Sequence, residues 1–290
     1  MLGAIVGDTV GSVYEFHNTK DYWFELFQEN SSYTDDSIMT MAVAYWLLKD
    51  KEHTYQGLED IMVEFAHKCP CPMGGYGGGF RCWLFHPSEL YAFDDQYGVS
   101  PYDSRTGRHP YGSYGNGSAM RASACGWFFD TLEETERVAG ISAAITHNHP
   151  EGIKGAQATA GAIFMARNGA SKDEIKEYID NIYGYNVHRT WEDIHWEYYW
   201  HASCQGTVPQ ALISFLTSSN FEDAIRRAVS LGGDSDTLAC ITGGIAEAYY
   251  KEIPKAIADR VARSFPRIFN KILDAVREET VYGKTCKIVE

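Results

Sequence analysis

Apolar residues recur along most of this chain at spacings of three and four, the pattern of helices that bury one face. Residues 36–49 carry Ile38, Met39, Ala42, Val43, Trp46 and Leu47 on one stripe. Residues 151–168 carry Ile153, Ala156, Ala160, Ile163 and Phe164, and residues 235–250 carry Leu238, Ile241, Thr242, Ile245 and Ala248 with Tyr249. Small residues crowd the second stripe (Ala158, Gly161, Ala162), and Gly243-Gly244 falls inside the third. A mid-helix glycine costs ~1 kcal/mol of helix propensity, so these positions predict helices packed backbone to backbone. Two more helices close the chain, one over 256–264 and one that opens at Pro266, where a first turn tolerates proline, and runs to Glu279. No segment alternates convincingly as a strand does. Cys69 to Asn116 is different in kind, rich in Gly, Pro, Tyr, Phe and Asp with weak periodicity. A loop-rich stretch of that length is usually functional. No repeat, low-complexity tract or linker interrupts the pattern, which predicts one all-α domain over residues 1–290.

Composition narrows the partners. With 290 residues, 44% of them hydrophobic, the chain can bury a full core. Its formal net charge of −14 is spread through the sequence, and no basic block occurs, which argues against direct nucleic-acid binding. Seven cysteines lack a disulfide-like framework and predict reduced thiols in a cytoplasmic protein. Cys69-Pro70-Cys71 has no second pair to complete a zinc knuckle. The opening MLGAIVGDTVGS is short, lacks basic residues and contains Asp8, so it does not read as a signal peptide. No apolar run is long enough to span a membrane.

Two acidic clusters head the first and third stripes: Thr34-Asp35-Asp36-Ser37 and Asp234-Ser235-Asp236-Thr237. Asp, Ser and Thr cap helices well, so either cluster alone admits that reading. One cap needs one oxygen, however, and adjacent carboxylates repel. The doubled arrangement points to helix starts that meet and share cations, and all-oxygen ligation suits Mg²⁺, Mn²⁺ or Ca²⁺. Ser37-Ile38-Met39 follow the first Asp pair, so no D-D-x-x-D forms and a prenyl-diphosphate reading weakens. Glycine-rich turns at Gly74–Arg81, with Gly77 and Gly78, and at Gly115–Arg121 lead into helical sequence. Their backbone N–H groups are able to approach phosphate oxygens, although ordinary tight turns explain them equally well and neither fits Walker A or a Rossmann turn. His147-Asn148-His149 with Glu151 suits pocket lining or helix capping better than zinc. Glu15 falls where the N-terminal apolar pattern ends, and position alone makes it an exposed glutamate; Asp8 reads as a structural hydrogen-bond acceptor. No Gly-x-Ser-x-Gly is present.

These residues occur together, in order, in GAIVGDTVGSVYE (3–15), YTDDS (33–37), YGNGSAMR (114–121), THNHPEGIKGAQATAGAIFMAR (146–167) and LGGDSDTLACITGGIAEAYY (231–250). The chain resembles the ADP-ribosylglycohydrolases over nearly its whole length. The resemblance implies an orthogonal all-α bundle with two divalent cations, Mg²⁺ or Mn²⁺, at the bottom of a cleft. It implies metal ligation by Thr34, Asp35, Asp36, Asp234, Asp236 and Thr237, and catalysis resting on Glu15, Asp35 and Asp236. Asn116, Gly117 and Ser118 would lie near the diphosphate or distal ribose, and His147 near the substrate ribose. The implied substrate is an ADP-ribosylated protein or small molecule, arginine-linked first, and the expected state is a monomer. O-linked conjugates, or a catalytically silent ADP-ribose binder, are the alternatives; a silent relative would be expected to lose some of the acids that are all present here. Ser37 stands where Thr is more frequent and Lys251 where Gly is common, and neither touches an implied ligand. The segment 69–112 transfers least, and there acceptor specificity is expected to lie.

Overall fold

A computed structural model describes residues 1–90 and 100–289. The helices in chain order are α1 (Leu2–Gly11), α2 (Asp35–Lys49), α3 (Tyr55–Lys68), α4 (Gly78–Phe85), α5 (Gly117–Met120), α6 (Cys125–Phe128), α7 (Leu132–Ala144) and α8 (Pro150–Arg167). They continue as α9 (Lys172–Tyr183), α10 (Trp191–His195), α11 (Cys204–Leu216), α12 (Phe221–Ser230), α13 (Ser235–Tyr250), α14 (Lys255–Ala262), α15 (Arg267–Glu279) and α16 (Tyr282–Thr285). The three long apolar stripes thus fold as α2, α8 and α13, within one or two residues of the expected bounds. The all-α expectation holds, with one addition. Three-residue strands β1 (Glu252–Pro254) and β2 (Lys287–Val289) pair in parallel, Ile253 opposite Ile288. Strands so short carry no alternation by which a sequence could announce them.

The core is organised around α13, buried from Ser235 to Ala248, and α1, buried along its entire length. Gly3, Gly7 and Gly11 recur once per turn on α1 and face Gly243, Ala239 and Asp236 in turn, so the two helices run antiparallel. A Cβ on Gly7 would fall 1.9 Å from the Ala239 carbonyl oxygen. Only glycine permits this approach, and Gly243 reciprocates against the Gly3 backbone. The small residues of α8 follow the same logic: Gly155 faces the Cys204 side chain on α11, and Gly161 the Tyr178 hydroxyl on α9.

Within the loop-rich segment, α4 and a strap over residues 100–112 are described, while residues 91–99 lie outside the described residues. Buried Glu59 on α3 holds the strap, accepting from Tyr102 Oη (2.6 Å), Ser104 Oγ (2.7 Å) and Thr106 Oγ1 (2.5 Å). Arg108 at its end donates to the Trp83 and Leu84 carbonyls, both at 2.8 Å, and so fixes the C-terminal end of α4. All seven cysteines are unpaired. Among the described residues, no helix is long and apolar enough to cross a membrane.

Candidate active site

The antiparallel crossing delivers the end of α1 to the head of α13, and the turn that follows α1 carries Glu15. Asn18 ties that turn down. Its Nδ2 donates to the carbonyls of Tyr14 (2.7 Å), Glu15 (2.9 Å) and Gly233 (2.8 Å), and its Oδ1 accepts from the Gly233 amide at 2.8 Å. Asp8, midway along α1, accepts from the Thr34 amide (2.9 Å), Thr34 Oγ1 (2.7 Å), the Ser37 amide (3.0 Å) and Ser37 Oγ. It is the structural acceptor the sequence suggested, and it hangs the head of α2 on α1. The two acid-bearing helix starts therefore meet, with Thr237 Oγ1 3.4 Å from Asp36 Oδ2. Carboxylate oxygens of Glu15, Asp234 and Asp236 lie within 4.8 Å of one another. Asn116 steadies the group by donating from Nδ2 to Asp234 Oδ2 (2.7 Å) and to Thr207 Oγ1 (3.1 Å).

So many carboxylates in one buried place oppose each other's ionisation. Burial, followed by the charges of Asp234 and Asp8, pushes Glu15 up to about 7. Burial lifts Asp8 to about 6 against the hydrogen bonds from Ser37 and Thr34. Asp35, Asp36 and Asp236 are held well above the usual carboxylate range, by burial first and then by neighbouring acids. Burial also raises Asp234, against its hydrogen bonds. Glu15 Oε2 and Asp36 Oδ1 are buried with no hydrogen-bond partner among the described residues. Orphaned oxygens, an oxygen-only donor set and unrelieved like charge all fit a hard divalent cation.

These acids floor a cavity of about 410 Å³. One wall is the glycine turn Gly74–Gly79 at the head of α4; the other is Tyr111, Ser113, Gly115–Gly117 and His147. An added Cβ on Gly74 would meet Glu15 Oε2 at 2.6 Å, so the turn's backbone lies directly against the glutamate. His147 pairs through Nδ1 with Thr146 Oγ1 at 2.7 Å, and burial and the Arg121 charge hold it far below its ordinary pKa, as a neutral imidazole. Arg121, fully buried at the cavity wall, donates from Nη2 to the Ser142 carbonyl (2.7 Å) and Thr146 Oγ1 (2.9 Å). Burial lowers it to about 10.

A sequence model of ADP-ribosylglycohydrolase matches residues 1–284. The chain belongs to the ADP-ribosylglycohydrolase family. Similar proteins include ADP-ribosylhydrolase ARH3 of Bos taurus, 26% identical over 94% of this chain and 93% of that one, and its Homo sapiens counterpart, also 26%, over 93% of each. ADP-ribosylarginine hydrolase Tri1 of Pseudomonas putida is 23% identical over 91% of this chain and 73% of its own. A solved structure described as an ADP-ribosylglycohydrolase-related protein complex shares the fold, with a TM-score of 0.63 at 21% identity, over 95% of this chain and 94% of that one.

In this ADP-ribosylglycohydrolase, Glu15, Asp35, Asp36, Gly77, Gly78, Asn116, Gly117, His147, Asp234, Asp236 and Thr237 all line the cavity. Thr34 and Ser118 are not among its lining residues. The Thr34 hydroxyl is engaged by Asp8, and Ser118 Oγ turns onto α8, donating to the Gly152 carbonyl at 2.7 Å. Asn116 directs its side chain to Asp234. His149 caps α8 by accepting the Glu151 amide on Nδ1 at 3.0 Å, the capping role expected for that pair of histidines. Sequence reasoning missed Asn18, Arg121 as a buried charge, and the rim residues Phe16 and Trp200. Arg121 did carry a signal, a lone basic residue inside an apolar helical run.

Proposed function

We propose that the protein hydrolyses the C1″ glycosidic bond of ADP-ribosylated acceptors, arginine-linked ones first, using two divalent cations, Mg²⁺ or Mn²⁺. The observation that supports this most is the buried floor where Glu15 and the two acidic helix starts converge, with carboxylate oxygens left unpaired. Asp35, Asp36, Asp234, Asp236 and Thr237 would hold the cations, with Thr34 positioned through Asp8. When bound, such cations supply positive charge that orients vicinal ribose hydroxyls and offsets charge developing at the anomeric carbon.

The chain's own groups do the rest. First-turn amides of Gly78 and Gly79, behind Gly77, offer donors for diphosphate oxygens at the head of α4. Neutral His147 offers a ring nitrogen to a ribose hydroxyl while Thr146 fixes its other nitrogen. In the reaction, water adds at C1″, the C1″–N bond breaks with its electron pair on the guanidine nitrogen, and that nitrogen gains the proton water gives up. Glu15, raised to about 7, holds or releases a proton near neutral pH. Asn18, which ties its turn to Gly233 beside Asp234, keeps it at the reacting end.

Incubation with Mn²⁺ or Mg²⁺ and an ADP-ribosyl-arginine peptide, with a serine-linked peptide in parallel, tests the reading by mass spectrometry of free ADP-ribose. Metal-dependent release is expected, and Asp236→Ala should reduce it by a factor on the order of 10³ or more while ellipticity is kept. Full turnover in Asp236→Ala, or release of pyrophosphate in place of ADP-ribose, would overturn it.

A further inference from the structure

Phe16 and Trp200 are the exposed aromatics of the active-site cavity, 65% and 41% exposed, whereas its other large aromatics, Tyr76, Phe80 and Tyr111, are buried walls. Their rings lie nearly parallel, centroids 5.8 Å apart and planes inclined by 19°. Both are tied to the acidic floor by one turn. Phe16 follows Glu15, whose carbonyl Asn18 binds together with that of Gly233. The Trp200 Cα lies 3.3 Å from where a Cβ on Gly233 would stand, two residues before Asp236's neighbour Ser235. Among the described residues no Lys or Arg sits over either ring, while Trp83, Phe24 and Trp191 each carry an arginine at 5.2–5.6 Å. Two π faces are thus held open at the mouth, beside the glutamate.

A macromolecular acceptor is far too large for a 410 Å³ cavity. With the ribose at the acids, the acceptor must leave through the mouth on the Glu15 side, across these rings. An arginine-linked acceptor presents there a planar, delocalised guanidinium that keeps its positive charge, the group best suited to aromatic faces. The net negative charge of the whole chain, −14, favours the same cation. A serine-linked acceptor presents a neutral sp³ ether oxygen with nothing for the rings to recognise.

We propose that Phe16 and Trp200 form an acceptor platform that grips the guanidinium of arginine-linked substrates; the proposal rests on the hydrolase reading above. It is tested by binding, so that it does not depend on turnover. In a Glu15→Gln background with Mn²⁺, calorimetry compares free ADP-ribose, an ADP-ribosyl-arginine peptide and the serine-linked peptide. Phe16→Ala and Trp200→Ala should each weaken the arginine peptide about fivefold and leave ADP-ribose and the serine peptide within about twofold. Trp200→Phe should keep most of the affinity, which separates loss of the ring from loss of the fold. Equal weakening of free ADP-ribose would place adenine or ribose on the rings and overturn the proposal, as would an arginine-peptide affinity that neither variant moves. If the binding pattern holds while the protein with Glu15 intact releases no ADP-ribose, the hydrolase reading fails and the platform stands.

Discussion

Asn18 divides one side-chain amide among the carbonyls of Tyr14, Glu15 and Gly233 and takes the Gly233 amide on its oxygen. Among the described residues no other contact joins the Glu15 turn to the head of α13 with as many bonds, so this exposed residue sets where the glutamate stands relative to Asp234. Asn18→Asp keeps the shape, removes the donors and adds a negative charge beside acids already raised. A stability loss of about 1–2 kcal/mol is expected from the broken hydrogen bonds. The kcat for ADP-ribose release should fall at least ~10-fold, because misplacing a catalytic group by about 1 Å costs more than that. The acid limb of the pH–rate profile should move upward as Glu15 becomes harder to ionise, a readout that mere loosening of the fold would not shift. An unchanged profile and kcat would show that Asn18 does not position Glu15. Nothing at position 18 signals this in the sequence, since the partner that joins the two turns, Gly233, lies 215 residues from this exposed loop asparagine. Asp8 was different: a charged residue inside an apolar stretch must find donors, and that much could be read directly.

At the level of elements, the glycine stripe of α1 does for the site what no single ligand does. Gly3, Gly7 and Gly11 let α1 lie against the α13 backbone, and that separation fixes the distance from Glu15 to Asp236. Gly7→Ala places a methyl 1.9 Å from the Ala239 carbonyl, so the helices must part. Overpacking against backbone is expected to cost about 3 kcal/mol, measured by denaturant unfolding, and the fraction that remains folded should have lost turnover; wild-type stability would mean the helices slide without cost. Lys251 presents the opposite case. It ends α13 with φ of +62°, in the left-handed region that favours glycine. Lys251→Gly should stabilise the protein by ~1 kcal/mol with activity unchanged, and a lower melting temperature would refute it. The small-residue helices and both acidic helix starts could be read in advance because their signals are local: period, caps, repelling carboxylates. The β1–β2 pair and the Glu59-bound strap could not, because each is made by partners distant in sequence with no periodicity to announce them.

Across the whole molecule, one contiguous buried cluster runs from Met1 to Tyr282, and we propose that residues 1–290 unfold in a single transition whose midpoint reports on the acidic floor. A carboxyl whose folded pKa exceeds its unfolded value holds an extra proton in the folded state. Its contribution to stability is therefore lost as pH rises through that window. Glu15 spans from 4.5 to about 7, Asp8 from 3.8 to about 6, and Asp35, Asp36 and Asp236 are raised well above the ordinary aspartate value. His53, His147 and His195, all lowered mainly by burial, act in the opposite sense around the ordinary histidine value of about 6.5, and Lys172, lowered by burial to about 8, does so toward pH 8. Between pH 6.5 and 8 the raised carboxyls outnumber these opposing groups, so the metal-free protein should melt at progressively lower temperature as pH rises. Divalent cations compete with those protons for the same oxygens. Saturating Mn²⁺ or Mg²⁺ should thus raise the melting temperature more at pH 8 than at pH 6.5, and EDTA should reverse it. Scanning calorimetry at both pH values, with and without metal, decides the matter: a metal-induced shift independent of pH, or a metal-free protein that gains stability over this range, would mean that the raised acids are not where the cations bind.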